Sequence, residues 1–274
     1  MTDAVRFLSK YGTWALVTGA SEGIGKAFAS ELARLGVNVI LVSRREPLLA
    51  ALALQLQSEF HVQTHVIAAD LSTELDREKL LRETEAFDVG LLVAAAGFGS
   101  AGRVLDSDAA QEMRMLAVNC TAVFQQAMTF AARFRTRGRG GIVLFGSILG
   151  WQGTPFAANY AATKAYVQSL SEGLRVEMAP HHVDVISVAP GPVSSGFGRV
   201  ARMHMARTTS AETVAWQTLR ALGSRGTVVP GILGKVMTYS LRMMPRSLRV
   251  RALGRVMLGM AQPKVSWSSV AAGA

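Results

Sequence analysis

The sequence predicts an α/β fold in which a doubly wound parallel sheet forms the core of a single domain. Two observations lead to this prediction. Short runs of almost continuous apolar residues recur up to about residue 190, as in parallel strands that are buried on both faces. Stretches with helical periodicity separate these runs, and right-handed crossovers through such helices produce a doubly wound sheet. The length of 274 residues fits one large domain.

Each strand is predicted from a short apolar run rich in Val, Ile and Leu. The predicted strands are residues 14–18, 37–42, 62–68, 89–95, 142–145 and 183–188, with another at 227–230. Helices are predicted where apolar residues recur three or four positions apart. These helices are residues 25–35, 48–56, 109–137 and 157–178.

The pattern changes after Pro190, where Gly and Pro predict a loop. Thr209 and Glu212 have the spacing of a capping box, which predicts a helix that ends near residue 222. The remainder, from about residue 231, is predicted as two short helices that are broken at Pro245.

Composition argues against several classes of protein. No apolar run reaches the ~18 residues of a membrane-spanning helix. The N-terminal residues lack the ordered basic, apolar and small-residue regions of a signal peptide, so we expect a cytoplasmic protein. Cys120 is the single cysteine, which excludes an internal disulfide and a multi-cysteine metal site. We expect no metal, and we expect Cys120 to be a small buried apolar residue.

The net charge of +10 is confined to one end of the chain. Residues 1–198 hold 17 Lys and Arg against 18 Asp and Glu, whereas residues 199–274 hold 12 against one, Glu212. The region that carries the motifs described below is therefore nearly neutral. We expect no nucleic-acid partner.

Residues 18–25, TGASEGIG, connect the first predicted strand to the first predicted helix. Glycines allow a tight turn and a close approach to a pyrophosphate, and the helix N-terminus supplies free N–H groups and partial positive charge. The glycine spacing is G-x-x-x-G-x-G, and the alternative is a tight turn without a ligand. The residues predicted to bind a cofactor here are Gly19, Ser21, Gly23, Ile24 and Gly25.

The end of the second strand indicates which dinucleotide would bind. An acidic residue there selects NAD, but this chain has Ser43, Arg44 and Arg45. Guanidinium groups suit a 2′-phosphate, so the sequence favours NADP(H), with Arg44 as the better candidate and Ser43 as its partner. The alternative is that both arginines are solvated surface residues. Asp70, followed by Leu71 at the end of the third strand, would hold the adenine edge or cap the next turn.

Tyr160 and Lys164 are four residues apart on a predicted helix and therefore share one face. A phenol with a pKa near ~10 is a poor acid–base catalyst at neutral pH, and a nearby ammonium would lower that pKa. Ser147 ends the fifth strand, at the sheet edge where ligands bind. Together with the glycine turn, these residues predict reversible hydride transfer between a nicotinamide and a carbonyl or alcohol.

With these motifs the chain resembles the short-chain dehydrogenase/reductase family, whose members have a Rossmann fold, over about residues 13–200. The resemblance implies that Ser147, Tyr160 and Lys164 are catalytic. It also implies that Asn119 supports a proton relay, although an Asn within a helix could also mark a local kink. The residues that it further assigns to the cofactor are Tyr160, Lys164, Ala96, Gly97, Pro190, Gly191 and Val193.

One departure from the family pattern follows the fourth strand. The family usually has Asn-Asn-Ala-Gly there, whereas this chain has Ala94 and Ala95 before Ala96 and Gly97. We expect binding through the backbone to persist, with an effect on the sheet or on cofactor affinity. Residues 23–29, 41–45 and 97–99 are similar to a subgroup that includes bacterial oxidoreductases and 3-oxoacyl-CoA and 17β-hydroxysteroid reductases.

The predicted substrate is a hydrophobic ketone, alcohol or acyl compound. The residues expected to frame its pocket, unless they are ordinary core, are Phe98, Ile148, Leu149, Trp151, Phe156 and Phe197. Residues 196–207 could form a lid in which Arg199, Arg202 and Arg207 meet an anionic carrier. A non-catalytic NADP-binding sensor or scaffold is the alternative function.

We divide the chain into a Rossmann-type catalytic domain, residues 1–230, and a basic helical extension packed on it, residues 231–274. The extension mixes Leu, Met and Val with arginines, which fits a packed cap with a solvated basic face or a peripheral contact with the inner membrane face. By analogy with similar proteins, a homodimer or homotetramer is expected through the helices that carry Asn119 and Tyr160.

Overall fold

A computed structural model describes residues 3–194, 196, 198, 201 and 208–260. A seven-stranded sheet runs through its centre, and two further short strands form a separate ribbon. The strands are β1 (Trp14–Thr18), β2 (Asn38–Ser43), β3 (Thr64–Ala68), β4 (Val89–Ala94), β5 (Gly140–Phe145), β6 (Val183–Val188), β7 (Val193–Ser194), β8 (Thr209–Ser210) and β9 (Thr227–Val228). The main sheet has the order β3-β2-β1-β4-β5-β6-β9, and all its pairs are parallel. The predicted fold class is therefore confirmed.

Ten α-helices are described in the ranges given above. They are α1 (Asp3–Tyr11), α2 (Gly23–Arg34), α3 (Glu46–Phe60), α4 (Glu74–Glu83), α5 (Ala109–Leu116), α6 (Val123–Arg137), α7 (Ala158–Met178), α8 (Ala211–Ala221), α9 (Ile232–Arg242) and α10 (Arg246–Met260). None of the helices in the described part of the chain is both long enough and apolar enough to cross a bilayer.

Both faces of the sheet are covered, which explains why its strands are largely apolar. All six residues of β4 and of β5 are buried. Successive residues of β1 enter different clusters: Val17 packs in the same cluster as Phe28 of α2, and Leu16 packs with Phe130 of α6. The sheet thus separates two apolar layers.

Chain order reverses between β1 and β4, because β2 and β3 lie on one side and β5, β6 and β9 on the other. In an open parallel sheet, a ligand cleft forms outside the carboxyl ends of the strands at this switch point. The loops that follow β1 and β4 therefore face the same cleft.

Several predicted elements need correction. The sequence reading missed α1 and α4; α4 is capped by Thr73, whose hydroxyl accepts from the Asp76 backbone N–H. The helix predicted over residues 109–137 contains a π-helical turn at Ala117–Ala122, between α5 and α6. The loop predicted after Pro190 includes β7, which pairs with β8.

The N-cap of α8 is also shifted by one residue. The N-cap residue is Ser210 rather than Thr209, and the Ser210 hydroxyl accepts a hydrogen bond from the Thr213 backbone N–H. Thr209 instead lies in β8 and pairs with Val193.

Candidate active site

The loop between β1 and α2 is shaped by contacts that leave no room for side chains. Gly19 has φ +71°, and a Cβ there would lie 3.0 Å from the Ala96 backbone. A Cβ on Gly25 would collide with the Gly19 carbonyl. The side chain of Glu22, the N-cap residue, makes no capping hydrogen bond to α2, and Gly23 and Gly25 in the first turn of this helix line the cleft.

A cleft of about 580 Å³ opens in front of this turn. The predicted cofactor residues that line it are Gly19, Ser21, Gly23, Ile24, Gly25, Ser43, Arg44, Asp70, Leu71, Ala96 and Gly97. The open helix N-terminus and the surrounding arginines suit the phosphates of a dinucleotide. The residues present therefore fit such a cofactor.

The two arginines after β2 have different environments. Arg45 bonds the Ser21 hydroxyl at 2.8 Å and forms a 3.0 Å ion pair with Glu22, so it closes one end of the glycine turn. Arg44 is exposed on the cleft wall and has no hydrogen bond or ion pair with any residue that the structure describes. Arg44 is thus the guanidinium that is free to meet a ligand. The pairing of Arg45 with Glu22 was not foreseen.

Asp70 has a local role and also lines the cleft. Its carboxylate accepts from the Ser72 backbone N–H at 3.0 Å and pairs with Arg114 at 3.3 Å. Burial raises the pKa of Asp70, but the bonds from Ser72 and the charges of Arg44 and Arg114 outweigh it and lower the pKa below its ordinary value. Arg114, which also lines the cleft, was missed because nothing in the sequence places α5 beside β3.

Ser147, Tyr160 and Lys164 lie together, and each is less than 9% exposed. Ser147 caps the short helical turn Ile148–Trp151, where its hydroxyl accepts from the Leu149 N–H at 3.2 Å. It also forms a hydrogen bond with Tyr160. The Lys164 ammonium donates to the Phe145 carbonyl at 2.8 Å and lies 5.7 Å from the centre of the Tyr160 ring.

The pKa of the phenol differs from the prediction. Burial raises the pKa of Tyr160 to about 12, and the hydrogen bond with Ser147 lowers it only partly. Burial therefore sets the direction of the shift in the protein alone, and the lowering of this pKa by the Lys164 ammonium stays a prediction. Burial also lowers the pKa of Lys164 to about 8. In the protein alone, the low-dielectric site favours a neutral phenol and weakens the charge on the amine.

Asn119 lies in the π-helical turn and is completely buried. Its amide donates to the Phe98 carbonyl at 2.8 Å and to the Thr163 hydroxyl at 3.1 Å, and its oxygen accepts from the Phe98 N–H at 3.1 Å. Asn119 therefore ties the loop after β4 to α7. The expected local irregularity of the helix is present at Asn119, whose side chain lies near Gly97 and Lys164, and its role in a proton relay stays a prediction.

The loop after β4 is held in place although Ala94 and Ala95 replace the usual amides. The Ala96 N–H donates to the Thr18 hydroxyl at 3.2 Å, which links this loop to the end of β1. Ala94 pairs with Leu144 within the sheet. The two alanines therefore leave the register of the central strands intact.

A second, apolar cavity of about 120 Å³ lies beside the cleft and shares Ile24 with it. Ser147 and Tyr160 are its polar residues. The residues predicted for the substrate pocket or the cofactor site that also line it are Ile148, Leu149, Pro190, Gly191 and Val193. The C-terminal helices add residues that the sequence reading did not place there, namely Met237, Leu253, Val256, Met257 and Met260.

The other residues predicted to frame this cavity are elsewhere. Phe98 lines the dinucleotide cleft, and Trp151 borders a separate surface depression together with Trp216. Phe156 packs against the cluster that contains Tyr160. Phe197, Arg199, Arg202 and Arg207, and most of the predicted lid, lie outside the described residues.

Comparison with known proteins agrees with this geometry. The family model described as short chain dehydrogenase matches residues 13–205. A 7beta-hydroxysteroid dehydrogenase of Clostridium sardiniense is 37% identical over 187 residues, which make up 68% of this chain and 72% of that protein. A very-long-chain 3-oxoacyl-CoA reductase of Podospora anserina is 37% identical over 203 residues, 72% of this chain but 60% of that longer protein.

Solved structures are also similar. A 7beta-hydroxysteroid dehydrogenase superposes with a TM-score of 0.84 at 26% identity, over 90% of this chain and 99% of that one. A short-chain dehydrogenase from Sphingobium yanoikuyae in complex with NADPH gives a TM-score of 0.76 at 26% identity, over 92% and 98% of the two chains. With the family model covering more than half of its length and the sheet order described above, this chain belongs to the short-chain dehydrogenase/reductase family of oxidoreductases.

Proposed function

We propose that this protein is an NADP(H)-dependent reductase of hydrophobic ketones that also catalyses the reverse oxidation of secondary alcohols. The observation that carries the proposal is the position of Tyr160 and Ser147. Their side chains are the polar part of an apolar cavity that adjoins the cleft lined by the glycine turn. A carbonyl in that cavity would have its oxygen beside two hydroxyl groups.

The protein's part in the reaction follows from these side chains. NADPH, when bound, supplies the hydride that reaches the carbonyl carbon. Tyr160, kept neutral by burial, donates its proton to the carbonyl oxygen, and Ser147 orients that oxygen by a hydrogen bond. Lys164 would hold the ribose and favour return of a proton to Tyr160. Asn119 would connect this pair to solvent through its contacts with Phe98 and Thr163.

The choice of NADP(H) over NAD(H) is supported by Arg44. Its guanidinium is exposed on the cleft wall, whereas no carboxylate follows β2 before Glu46. A 2′-phosphate would gain charge-assisted hydrogen bonds there, whereas a bare ribose would not. The Sphingobium neighbour in complex with NADPH supports the same choice.

The substrate class is supported by the cavity lining and by the relatives. Two prolines, two valines and several Leu and Met side chains offer dispersion contacts, and methionines adapt to irregular shapes. The relatives named above act on hydroxysteroids and on 3-oxoacyl-CoA compounds. We infer that the substrate is an apolar ring system or acyl chain with one carbonyl.

A homodimer or homotetramer is supported by exposed apolar side chains on α6 and α7. Phe124 and Met128 are one turn apart on α6 and are 41% and 55% exposed, and Val176 on α7 is 74% exposed. A second copy of the chain would cover them. Light scattering of the purified protein measures the assembly directly.

The proposed activity is tested by NADPH oxidation against a panel of bulky substrates. The panel contains steroid ketones, 3-oxoacyl thioesters and aryl ketones, and NADH is the matched cofactor control. We expect turnover of at least one panel member with NADPH and slower turnover with NADH. NADPH binding without turnover of any panel member would favour a sensor or scaffold instead.

A further inference from the structure

The outward face of α9 is apolar. Ile232, Val236 and Tyr239 of α9, and Met243, the C-cap residue that follows it, recur at intervals of four, three and four residues, which places them along one side. Their exposed fractions are 81%, 59%, 66% and 87%. We call these four residues the α9 stripe. A surface helix ordinarily directs polar residues outward, so the stripe is a candidate contact surface.

The inward face of the same helix packs on the protein. Thr238 is 4% exposed, and Met237 lines the apolar cavity. These positions lie on the side of the helix opposite the stripe. The stripe is therefore not a core surface that has been left uncovered, because α9 already has its packed face.

The next helix, α10, presents positive charge. Arg251 and Arg255 are exposed one turn apart, with the half-exposed Leu248 on the same side. Neither arginine, nor Lys235 on α9, forms an ion pair with a residue that the structure describes. The only acidic residue from position 199 onward is Glu212, so this end of the chain lacks its own neutralising charge.

The two helices also reach the cavity. Leu253, Met257 and Met260 of α10 line it together with Met237 of α9. Val256 lines it as well and is 44% exposed, so the cavity wall continues to the surface of α10. Each of the two helices therefore has residues that line the cavity and residues that are exposed to solvent.

We propose that α9 and α10 dock the protein on an anionic lipid surface, with the α9 stripe in the headgroup region and the α10 arginines on lipid phosphates. Interfacial helices bind by combining a buried apolar face with cationic side chains near anionic lipids. A second copy of the chain fits this surface less well, because it would bring equal positive charge against it. The exposed apolar residues of α6 and α7 offer a separate surface for self-association.

The full-length protein tests this by co-sedimentation with vesicles of phosphatidylglycerol and phosphatidylcholine in about equal parts, against vesicles of phosphatidylcholine alone. We expect binding to the anionic vesicles to be at least about tenfold tighter, and to weaken on going from about 0.1 M to about 1 M NaCl because the charges are screened. Two double variants should each weaken binding about tenfold or more. One combines Val236→Asp with Met243→Asp, and the other combines Arg251→Glu with Arg255→Glu.

The matched control is Leu54→Asp with Leu75→Asp, which introduces the same charge at side chains that are 68% and 70% exposed on α3 and α4. It should bind vesicles as the unmodified protein does. Equal binding to both vesicle types, or full binding by the two test variants, overturns the proposal. So does a stripe variant that changes only the oligomeric state in light scattering, because a second copy would then cover the stripe.

Delivery of substrate from the lipid surface rests on the proposed function, whereas the binding assay does not. With a ketone dissolved in anionic vesicles, NADPH oxidation by the stripe variant should fall about fivefold or more, in line with its lost binding. With a water-soluble ketone, the same variant should keep its rate. Vesicle binding without any turnover would refute the proposed function and leave the docking intact. If the stripe variant kept the rate of the unmodified protein with the vesicle-dissolved ketone as well, the delivery role would be overturned.

Discussion

Tyr160 and Lys164 are the titratable side chains closest to the proposed reaction, and burial shifts their pKa values in opposite directions. The phenol, with a pKa of about 12, remains protonated at neutral pH, which suits the donation of a proton during carbonyl reduction. The pKa of the Lys164 amine is about 8, so this group gains and loses its proton not far above neutral pH. In the protein alone, Tyr160 is thus in the protonated state that carbonyl reduction requires.

The buried amine has a consequence for stability. Lys164 has a folded-state pKa of about 8 against an ordinary 10.5, so the unfolded chain binds more protons between these values and stability rises with pH there. Between pH 7 and pH 9.5, we expect Lys164 to add about 2 kcal/mol to the free energy of unfolding. Lys164→Met should lack this increase and should be more stable than the unmodified protein at pH 7.

Urea denaturation of both proteins at the two pH values measures this effect, since all other groups titrate alike in the pair. Lys164→Met should also lose turnover, because no amine remains to hold the ribose. A stability difference between the two proteins that does not change with pH would contradict the assigned pKa.

Arg44 is the residue on which cofactor choice is expected to depend. In Arg44→Asp, the carboxylate should repel a 2′-phosphate and accept from a ribose hydroxyl, so the ratio of kcat/KM for NADPH over NADH should fall about 100-fold. Arg45→Ala is the comparison, because Arg45 is already engaged by Ser21 and Glu22. A larger fall in this ratio in Arg45→Ala than in Arg44→Asp would show that Arg45, and not Arg44, binds the 2′-phosphate.

The π-helical turn Ala117–Ala122 connects elements that are remote in sequence. It places Asn119 against Phe98, in the loop after β4, and against Thr163 on α7. Because the amide bonds both backbone groups of Phe98, removing it leaves a partly buried donor and a partly buried acceptor without these partners. The turn therefore couples the cofactor cleft to the helix that carries Tyr160.

Asn119→Ala is expected to lower the free energy of unfolding by about 2–4 kcal/mol, with a decrease in kcat. The control is Asn159→Ala on α7, where a partly exposed amide bonds Glu112; there we expect less than about 1 kcal/mol. Urea denaturation reports both changes. A loss of activity in Asn119→Ala without loss of stability would point to a role in proton transfer alone.

The elements differ in how well the sequence could predict them. β1 and β6 end where the apolar runs predict, since buried parallel strands are continuous in hydrophobicity. The polar helix α4 was missed because its sequence, ELDREKLLRE, has few apolar positions to reveal a period. The π-helical turn was missed because one residue inserted into a helix changes no local composition.

At the scale of the molecule, the sheet order accounts for where the site lies. The reversal between β1 and β4 brings the glycine turn and the Ala96–Gly97 loop to one cleft, and β5 and β6 add Ser147 and Pro190 beside it. Local motifs could predict these residues because each follows a strand. The lining from α9 and α10 could not be predicted, because their periodicity identifies a packed face without showing what that face meets.

The central claim is that the Tyr160 hydroxyl transfers the proton in a reaction driven by bound NADPH. The most direct measurement pairs equilibrium binding of NADPH with steady-state turnover in Tyr160→Phe. Tyr166→Phe, altered at an exposed position on the same helix, is the control. We expect NADPH to bind Tyr160→Phe within about threefold of the unmodified protein while kcat falls about 10²–10⁴-fold. Turnover by Tyr160→Phe at more than about a tenth of the unmodified rate would contradict the claim.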